Sequence, residues 1–237
     1  MTRLSTRFAF LFAAVITLLL AGPVQAGAKG ETYAEIARSE DLADYLETVA
    51  GDVDELWDDT FARGKYDSPT RFVVVDEEIE TACGPAEPGF SNAFFCPLDG
   101  GIYVDPVLMD ELSEEFGPFA AAVVVAHEWG HHVQDQFGLL GDSIAVSLTE
   151  PTSLQTELQA DCLAGTWAAE AAADDQLEPG DLDRAVLMMA SHMGDGDHLP
   201  NGIHDDPSYL DHQHGDGALR AWWFLQGFNG GMEACGI

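Results

Sequence analysis

Basic residues are scarce in this chain of 237 residues, which carries 9 Lys and Arg side chains against 42 Asp and Glu. The formal net charge is −33 at pH 7. A surface with this charge repels the phosphates of nucleic acids and the head groups of anionic membranes. The composition therefore excludes nucleic acid as a partner, and we expect the many acidic clusters to be solvated helix faces.

Cysteine is also rare, with four residues at positions 83, 96, 162 and 235. No two of them are spaced as C-x-x-C, which disfavours a cysteine-based zinc site. In an exported chain they predict two disulfides, for which three pairings are possible. The pairing of Cys83 with Cys96 across a Gly- and Pro-rich loop is favoured, and it would leave Cys162 to pair with Cys235.

Long apolar runs are few, and the first of them, Phe8–Leu20, is too short to span a membrane comfortably. Arg3 and Arg7 precede it and small residues follow it, which predicts a secretory signal over residues 1–26. Residues 27–237 would then form the mature domain, with no stable membrane span and a secreted or extracytoplasmic location. A signal that is kept as an anchor is the alternative.

One short motif indicates metal chemistry: residues 127–131 read H-E-x-x-H. The apolar run over residues 119–126 precedes it and predicts a mostly buried helix. Residues four apart lie on one face of a helix, so His127 and His131 can direct two ring nitrogens at one zinc ion. Glu128 lies one step round the helix, where it can act on a water at that ion.

Catalytic zinc needs a third protein ligand, and Glu157 is the candidate. The Ala- and Leu-rich segment Thr156–Ala173 predicts a helix, on which Asp161 lies one turn after Glu157. Glu157 would bind the ion, and Asp161 would accept the free ring N–H of a ligating histidine. His132 is a rival ligand but lies roughly 100° off the ligand face of its helix. The alternative is that both acids are ordinary solvated carboxylates.

Two further groups of polar residues lie towards the C-terminus. His214 and Arg220 are candidates to stabilise the oxyanion that forms when a peptide bond is attacked. A separate cluster of His and Asp gives a weaker prediction of a second metal ion, for which calcium and zinc are equally favoured. It comprises His192, Asp195, Asp197, His198, His204, Asp205, Asp206 and His212.

Several stretches of the chain together resemble the bacterial family of putative neutral zinc metallopeptidases. They are Cys83–Asp105 with its CG and CP pairs, Val125–Gln134 with H-E-x-x-H, Glu157–Trp167 with ELQADC, and His214–Phe228. With the segments between them they cover roughly residues 60–237. The resemblance implies a gluzincin-like zinc peptidase with Glu157 as the third ligand, and it supplies no substrate.

The order of elements predicts an α+β fold: a helix-dominated, zincin-like single domain with a small sheet, whose active-site helix carries H-E-x-x-H. Besides that helix, the predicted helices are Leu42–Phe61, Val107–Phe116, Thr156–Ala173, Leu182–His192 and Leu219–Phe228. The predicted strands are Arg71–Val75 and Gly101–Val104. The segments predicted to be irregular are Cys83–Cys96, Gly138–Thr152 and Gly194–Gly217. We expect the strands to border a cleft to which a peptide adds as a further strand.

Two classes of function compete for this pattern. The first is an exported zinc-dependent metallopeptidase that hydrolyses a peptide or protein, with Glu128 as general base. The second is an exported, non-catalytic zinc- or cation-binding module with an acidic interaction surface. Glu128 favours the first, because a structural zinc site needs no carboxylate beside an open position. A metallohydrolase that acts on a non-peptide amide would use the same site.

Overall fold

Helices dominate the structure, a computed structural model that describes residues 31–39, 41–61, 65–140, 154–194 and 215–237. The described helices are α1 (Tyr33–Ser39), α2 (Leu42–Thr60), α3 (Pro106–Phe116), α4 (Pro118–Gln136), α5 (Leu154–Ala173), α6 (Asp181–His192) and α7 (Gly217–Cys235). The described strands are β1 (Arg71–Val74), β2 (Ile79–Thr81), β3 (Gly84–Ala86), β4 (Ala93–Cys96) and β5 (Gly101–Val104). This architecture confirms the predicted helix-dominated α+β fold. None of the described helices has the length and apolar character that crossing a membrane requires.

The larger sheet has the strand order β1-β5-β4, with β1 parallel and β4 antiparallel to β5. Strands β2 and β3 form a separate antiparallel pair. The prediction that Cys83–Cys96 is irregular was therefore wrong, because β3 and β4 lie within it. These strands are only 3 and 4 residues long and are separated by Gly- and Pro-containing turns, so they show little periodicity. A disulfide joins Cys83 to Cys96.

Helix α4 is the centre of the core. Its residues 119–134 are all buried, as the apolar run before the motif predicts. The helix starts abruptly because Gly117 adopts a positive φ of 88° and Pro118 occupies the first turn, where a missing N–H costs nothing. Tyr33 of α1 and Trp167 of α5 stack on Phe119, so one helix that precedes α4 in the chain and one that follows it pack against α4.

Two glycines allow α5 and α7 to cross in direct backbone contact. A Cβ atom at Gly165 would lie 1.9 Å from the carbonyl oxygen of Phe224, and one at Gly227 would lie 1.8 Å from that of Cys162. A third close approach brings α4 to α5, where a Cβ at Gly130 would lie 2.9 Å from the carbonyl oxygen of Ala160. These crossings fix the distances between the three helices that carry the candidate site.

Helix α7 is longer than the predicted Leu219–Phe228. Asp216 caps its N-terminus by accepting from the N–H of Leu219, and a kink at Gly231 carries the chain on to Cys235. The sequence did not predict this extension because glycines follow Phe228, and glycine disfavours helices in the absence of tertiary contacts. A second disulfide joins Cys235 to Cys162 of α5.

Parts of several predictions lie outside the described residues. One is the predicted signal over residues 1–26. Residues 141–153 and 195–214, which include most of two segments predicted to be irregular, also lie outside.

Candidate metal centre

Three candidate ligands meet in the core, where α4 crosses α5. One ligand atom from each of His127, His131 and Glu157 can be chosen so that all lie within 4.8 Å of one another, and all three side chains are buried. Nε2 of His127 lies 3.3 Å from Glu157 Oε2, and Nε2 of His131 lies 3.4 Å from Glu157 Oε1. Zinc bonds of about 2.0–2.1 Å in a tetrahedral site place two ligand atoms roughly 3.3 Å apart. The donor set and its two histidine–glutamate distances therefore fit zinc.

A carboxylate and a guanidinium hold His127 in place. Nδ1 of His127 lies 2.8 Å from Asp161 Oδ1, so it donates there and leaves Nε2 for a metal. Arg220 donates to both oxygens of Asp161, from Nε at 2.7 Å and from Nη2 at 2.8 Å. This bidentate pair fixes the plane of the Asp161 carboxylate, which in turn fixes the imidazole.

The charges of the metal-free site are strongly coupled. Burial alone would lower the pKa of His127, but the carboxylates of Asp161 and Glu157 raise it to about 10. Burial would raise the pKa of Glu157, but His131 and His127 hold it well below its usual value. Arg220 and His127 lower the pKa of Asp161 in the same way, against the effect of burial. A proton on His127 thus occupies the nitrogen that a metal would take.

His131 is oriented by a neutral amide. Its Nδ1 lies 2.9 Å from Oε1 of Gln134, so Nε2 of His131 is directed towards Glu157. Gln134 lies one turn later on α4 and is buried. The sequence analysis did not assign it a role, although spacing by three residues places it beside His131 on the helix.

Glu128 is buried beside this group but is not part of it. Its Oε2 accepts from the backbone N–H of Phe95 at 2.8 Å. Phe95 is in β4, at an edge of the three-stranded sheet in the described structure. Just before β4, the N–H of Asp105 donates to the carbonyl of Asn92, so the backbone groups of Asn92 face β5. The direction of the backbone groups alternates along an antiparallel strand. Phe95 lies three residues after Asn92, so its N–H points away from β5. The edge strand therefore holds the candidate general base with a main-chain donor.

His132 lies outside the metal group, as its position on the helix predicts. Its Nε2 contacts the carbonyl oxygen of Asp67 at 2.7 Å, and its ring packs edge-on against Tyr66 and Phe95. Burial lowers the pKa of His132. Its contacts join α4 to the segment that precedes β1.

Of the two residues predicted to stabilise an oxyanion, the structure describes Arg220 and not His214. The cluster predicted to bind a second metal ion also lies outside the described residues, apart from His192. His192 packs against Phe116, and its Nε2 lies 3.8 Å from a carboxylate oxygen of Glu115. Nothing in the described residues supports calcium.

Arg220 is buried, and its contacts hold other side chains of the site in position. Besides Asp161, its guanidinium donates to the carbonyl of Met193 and lies 3.2 Å from Glu157 Oε2. Its role at an oxyanion stays a prediction.

Fold and site together define a class: helical α+β proteins with an H-E-x-x-H helix and a buried glutamate from a second helix. The chain matches the family described as putative neutral zinc metallopeptidase over residues 9–236, and it belongs to that family. The resemblance drawn from the sequence motifs is thereby confirmed.

Curated relatives carry no assigned activity. The chain is 30% identical over 205 residues to uncharacterized protein YpfJ of Escherichia coli K12, which covers 82% of this chain and 70% of that protein. It is 36% identical over 168 residues to uncharacterized protein Rv2575 of Mycobacterium tuberculosis H37Rv, which covers 65% of this chain and 57% of that protein. No solved structure is significantly similar to the chain.

Proposed function

We propose that the protein is a zinc-dependent metallopeptidase that works outside the cytoplasm. The observation that carries the proposal is the position of Glu128, buried beside the three-ligand group but outside it and held by a backbone N–H. A structural zinc site is closed by four ligands and has no use for such a carboxylate. Family membership supports a peptidase, and it leaves the substrate open.

Each residue of the site has a separate task in this proposal. His127, His131 and Glu157 would hold zinc, which when bound supplies Lewis acidity to a water and to the substrate carbonyl. Glu128 takes the proton of the attacking water and passes it to the leaving amine. The N–H of Phe95 keeps the Glu128 carboxylate at the position where both transfers take place. Asp161 and Arg220 hold His127 in the tautomer that leaves Nε2 for the metal.

The two disulfides support a location outside the cytoplasm. Cys83–Cys96 and Cys162–Cys235 are the kind of bond that persists in oxidising compartments. The signal predicted over residues 1–26 would deliver the chain there. The competing proposal, a non-catalytic zinc- or cation-binding module, rests on the charge of −33 and would leave Glu128 without a task.

The first test is the metal content of the purified mature protein, measured by elemental analysis beside two variants. We expect about one zinc per chain, lost or much weakened in Glu157→Ala. Glu128→Gln should retain the zinc but lose hydrolysis of a mixed peptide library by about 100-fold or more.

Each failure has its own meaning. A wild-type protein without zinc would contradict the metal site. Zinc that is unaffected by Glu157→Ala would mean that the third ligand is assigned wrongly. Zinc binding without any hydrolysis by wild type would leave the binding module as the better proposal.

A further inference from the structure

A chain of hydrogen bonds runs from His131 to the end of the C-terminal helix α7. Nδ1 of His131 lies 2.9 Å from Oε1 of Gln134, and Nε2 of Gln134 donates to Oε1 of Gln159 at 3.0 Å. Nε2 of Gln159 then donates to the carbonyl oxygen of Cys235 at 3.0 Å. The hydrogen bonds thus lead from α4 through α5 to α7.

The carbonyl groups along this chain fix the direction of every bond in it. A backbone carbonyl can only accept, so the carbonyl of Cys235 requires the NH₂ group of Gln159 and turns Oε1 of Gln159 towards Gln134. Gln134 meets a second carbonyl, that of Thr156, at 2.8 Å from its Nε2. Its NH₂ group therefore faces α5, and its oxygen faces His131.

The last bond decides the tautomer of His131. Because Oε1 of Gln134 can only accept, the ring nitrogen facing it must carry the hydrogen. In the neutral imidazole the other nitrogen, Nε2, then holds a lone pair directed at Glu157, at 3.4 Å. The amide chain thus does for His131 what the Asp161 carboxylate does for His127, without adding a charge.

We propose that Gln159 is a positioning residue, which acts through Gln134 to hold His131 in the tautomer and orientation that bind the metal. This inference rests on the proposed zinc site. It gives the C-terminal end of α7 a task in metal binding, because Cys235 provides the terminal acceptor and is fixed to α5 by its disulfide. Among the described residues, the side chain of Gln159 forms its hydrogen bonds with Gln134 and Cys235 and with no metal ligand.

The test is a double-mutant cycle read out by the zinc dissociation constant, measured by competition with a chelator. Gln134→Met should weaken zinc binding by about 10- to 100-fold, since outer partners of ligating histidines have effects of this size. Gln159→Met should weaken it by about 3- to 10-fold. In the Gln134→Met background, however, Gln159→Met should have no further effect. The d–d absorption of the cobalt-substituted protein should change in both single variants.

Controls separate positioning from loss of structure. Gln155 is exposed on the same helix, and Gln155→Met should leave the dissociation constant unchanged. Gln159→Glu can still accept from Gln134 but cannot donate to the carbonyl of Cys235, so it should bind zinc more weakly than wild type and more tightly than Gln159→Met. This variant also decides the matter if Gln159→Met does not fold.

The outcomes distinguish this inference from the proposed function. If wild type binds no zinc, the metal site itself is contradicted. If wild type binds zinc and Gln159→Met binds it equally well, only the positioning role is overturned. The same conclusion follows if Gln159→Met weakens binding equally in both backgrounds, or if Gln159→Glu is as weak as Gln159→Met.

Discussion

The two halves of the candidate site are held in different ways. On the metal side, His127 and His131 are each fixed by side chains that lead to α7. The buried pair Asp161 and Arg220 holds His127, and Gln134 with the partly buried Gln159 holds His131. On the other side, Glu128 has one backbone donor from the edge strand β4. In the proposed mechanism, metal binding and proton transfer therefore depend on different parts of the chain, and it should be possible to damage one without the other.

Each half also has its own disulfide. Cys162–Cys235 joins α5, which carries Glu157 and Asp161, to the end of α7. Cys83–Cys96 ends one residue after Phe95, whose N–H holds Glu128. This arrangement gives a matched pair of covalent bonds with which to compare the two halves.

The largest effect on the metal side should come from Arg220→Met. Arg220 is 2% exposed and faces the carboxylates of Asp161 and Glu157, so its removal leaves buried negative charge uncompensated. We expect the free energy of unfolding of the metal-free protein to fall by about 3–5 kcal/mol. The fall should be smaller with zinc bound, because the ion replaces part of the lost positive charge. Thermal unfolding with zinc and with a chelator measures both values.

Arg184→Met is the matched control for this prediction. Arg184 pairs with Asp181, whose side chain is 1% exposed, and also donates to the carbonyl of Phe116, so its loss should cost about 1–3 kcal/mol. That loss should not depend on zinc. An equal destabilisation of Arg220→Met with and without zinc would contradict the idea that Arg220 balances the charge of the ligand group.

Removing each disulfide in turn should distinguish the two halves of the site most directly. The loop closed by Cys162–Cys235 spans 73 residues and that closed by Cys83–Cys96 spans 13. Loss of loop-closure entropy predicts destabilisation by about 4 and about 3 kcal/mol. We expect replacement of the Cys162–Cys235 pair by alanine to weaken zinc binding. Replacement of the other pair should retain zinc and lower kcat.

Chelator competition and peptide hydrolysis at a temperature below both unfolding transitions distinguish these effects. The comparison fails if loss of Cys83–Cys96 weakens zinc binding as much as loss of Cys162–Cys235. It also fails if both variants lose kcat in proportion to their zinc content.

The smallest expected effect is a pH dependence of metal binding. The pKa of His127 is raised to about 10 in the metal-free site, so this residue is protonated at pH 7 and must lose its proton to bind zinc. Loss of the His127 proton should therefore raise the zinc affinity by about tenfold per pH unit between pH 7 and 9. The rise should end as pH passes the pKa of His127. Isothermal titration in buffers of different ionisation enthalpy measures the released proton.

Asp161→Asn tests the cause of this pH dependence. Removal of the carboxylate takes away the main group that raises the pKa of His127, so the slope should flatten. A slope that is equally steep in Asp161→Asn would assign the released proton to another group.

Much of the fold follows from local sequence patterns. Strand β5 was predicted at Gly101–Val104 and occurs there, and α3 starts at Pro106, where proline favours a first helical turn. The prediction failed where elements are short or stabilised by distant contacts. Helix α1 has only 7 residues, and the end of α7 contains a kink at Gly231 and is joined to α5 by the Cys162–Cys235 disulfide.

The sequence by itself determined which residues could bind a metal. Spacing by four residues on two helices singled out His127 and His131 and, on the second helix, Glu157 as a ligand with Asp161 as the partner of a ligating histidine, because helical periodicity is a local property of the chain. The structure brings these four side chains together.

Only the tertiary structure decided what holds these residues in place. Phe95 lies 33 positions from Glu128, Arg220 lies 59 from Asp161, and Cys235 lies 76 from Gln159. Two of these partners act through backbone groups, which every residue has, so no residue type marks them in a sequence. Their roles arise from the crossing of α4, α5 and α7 and from the edge of one sheet.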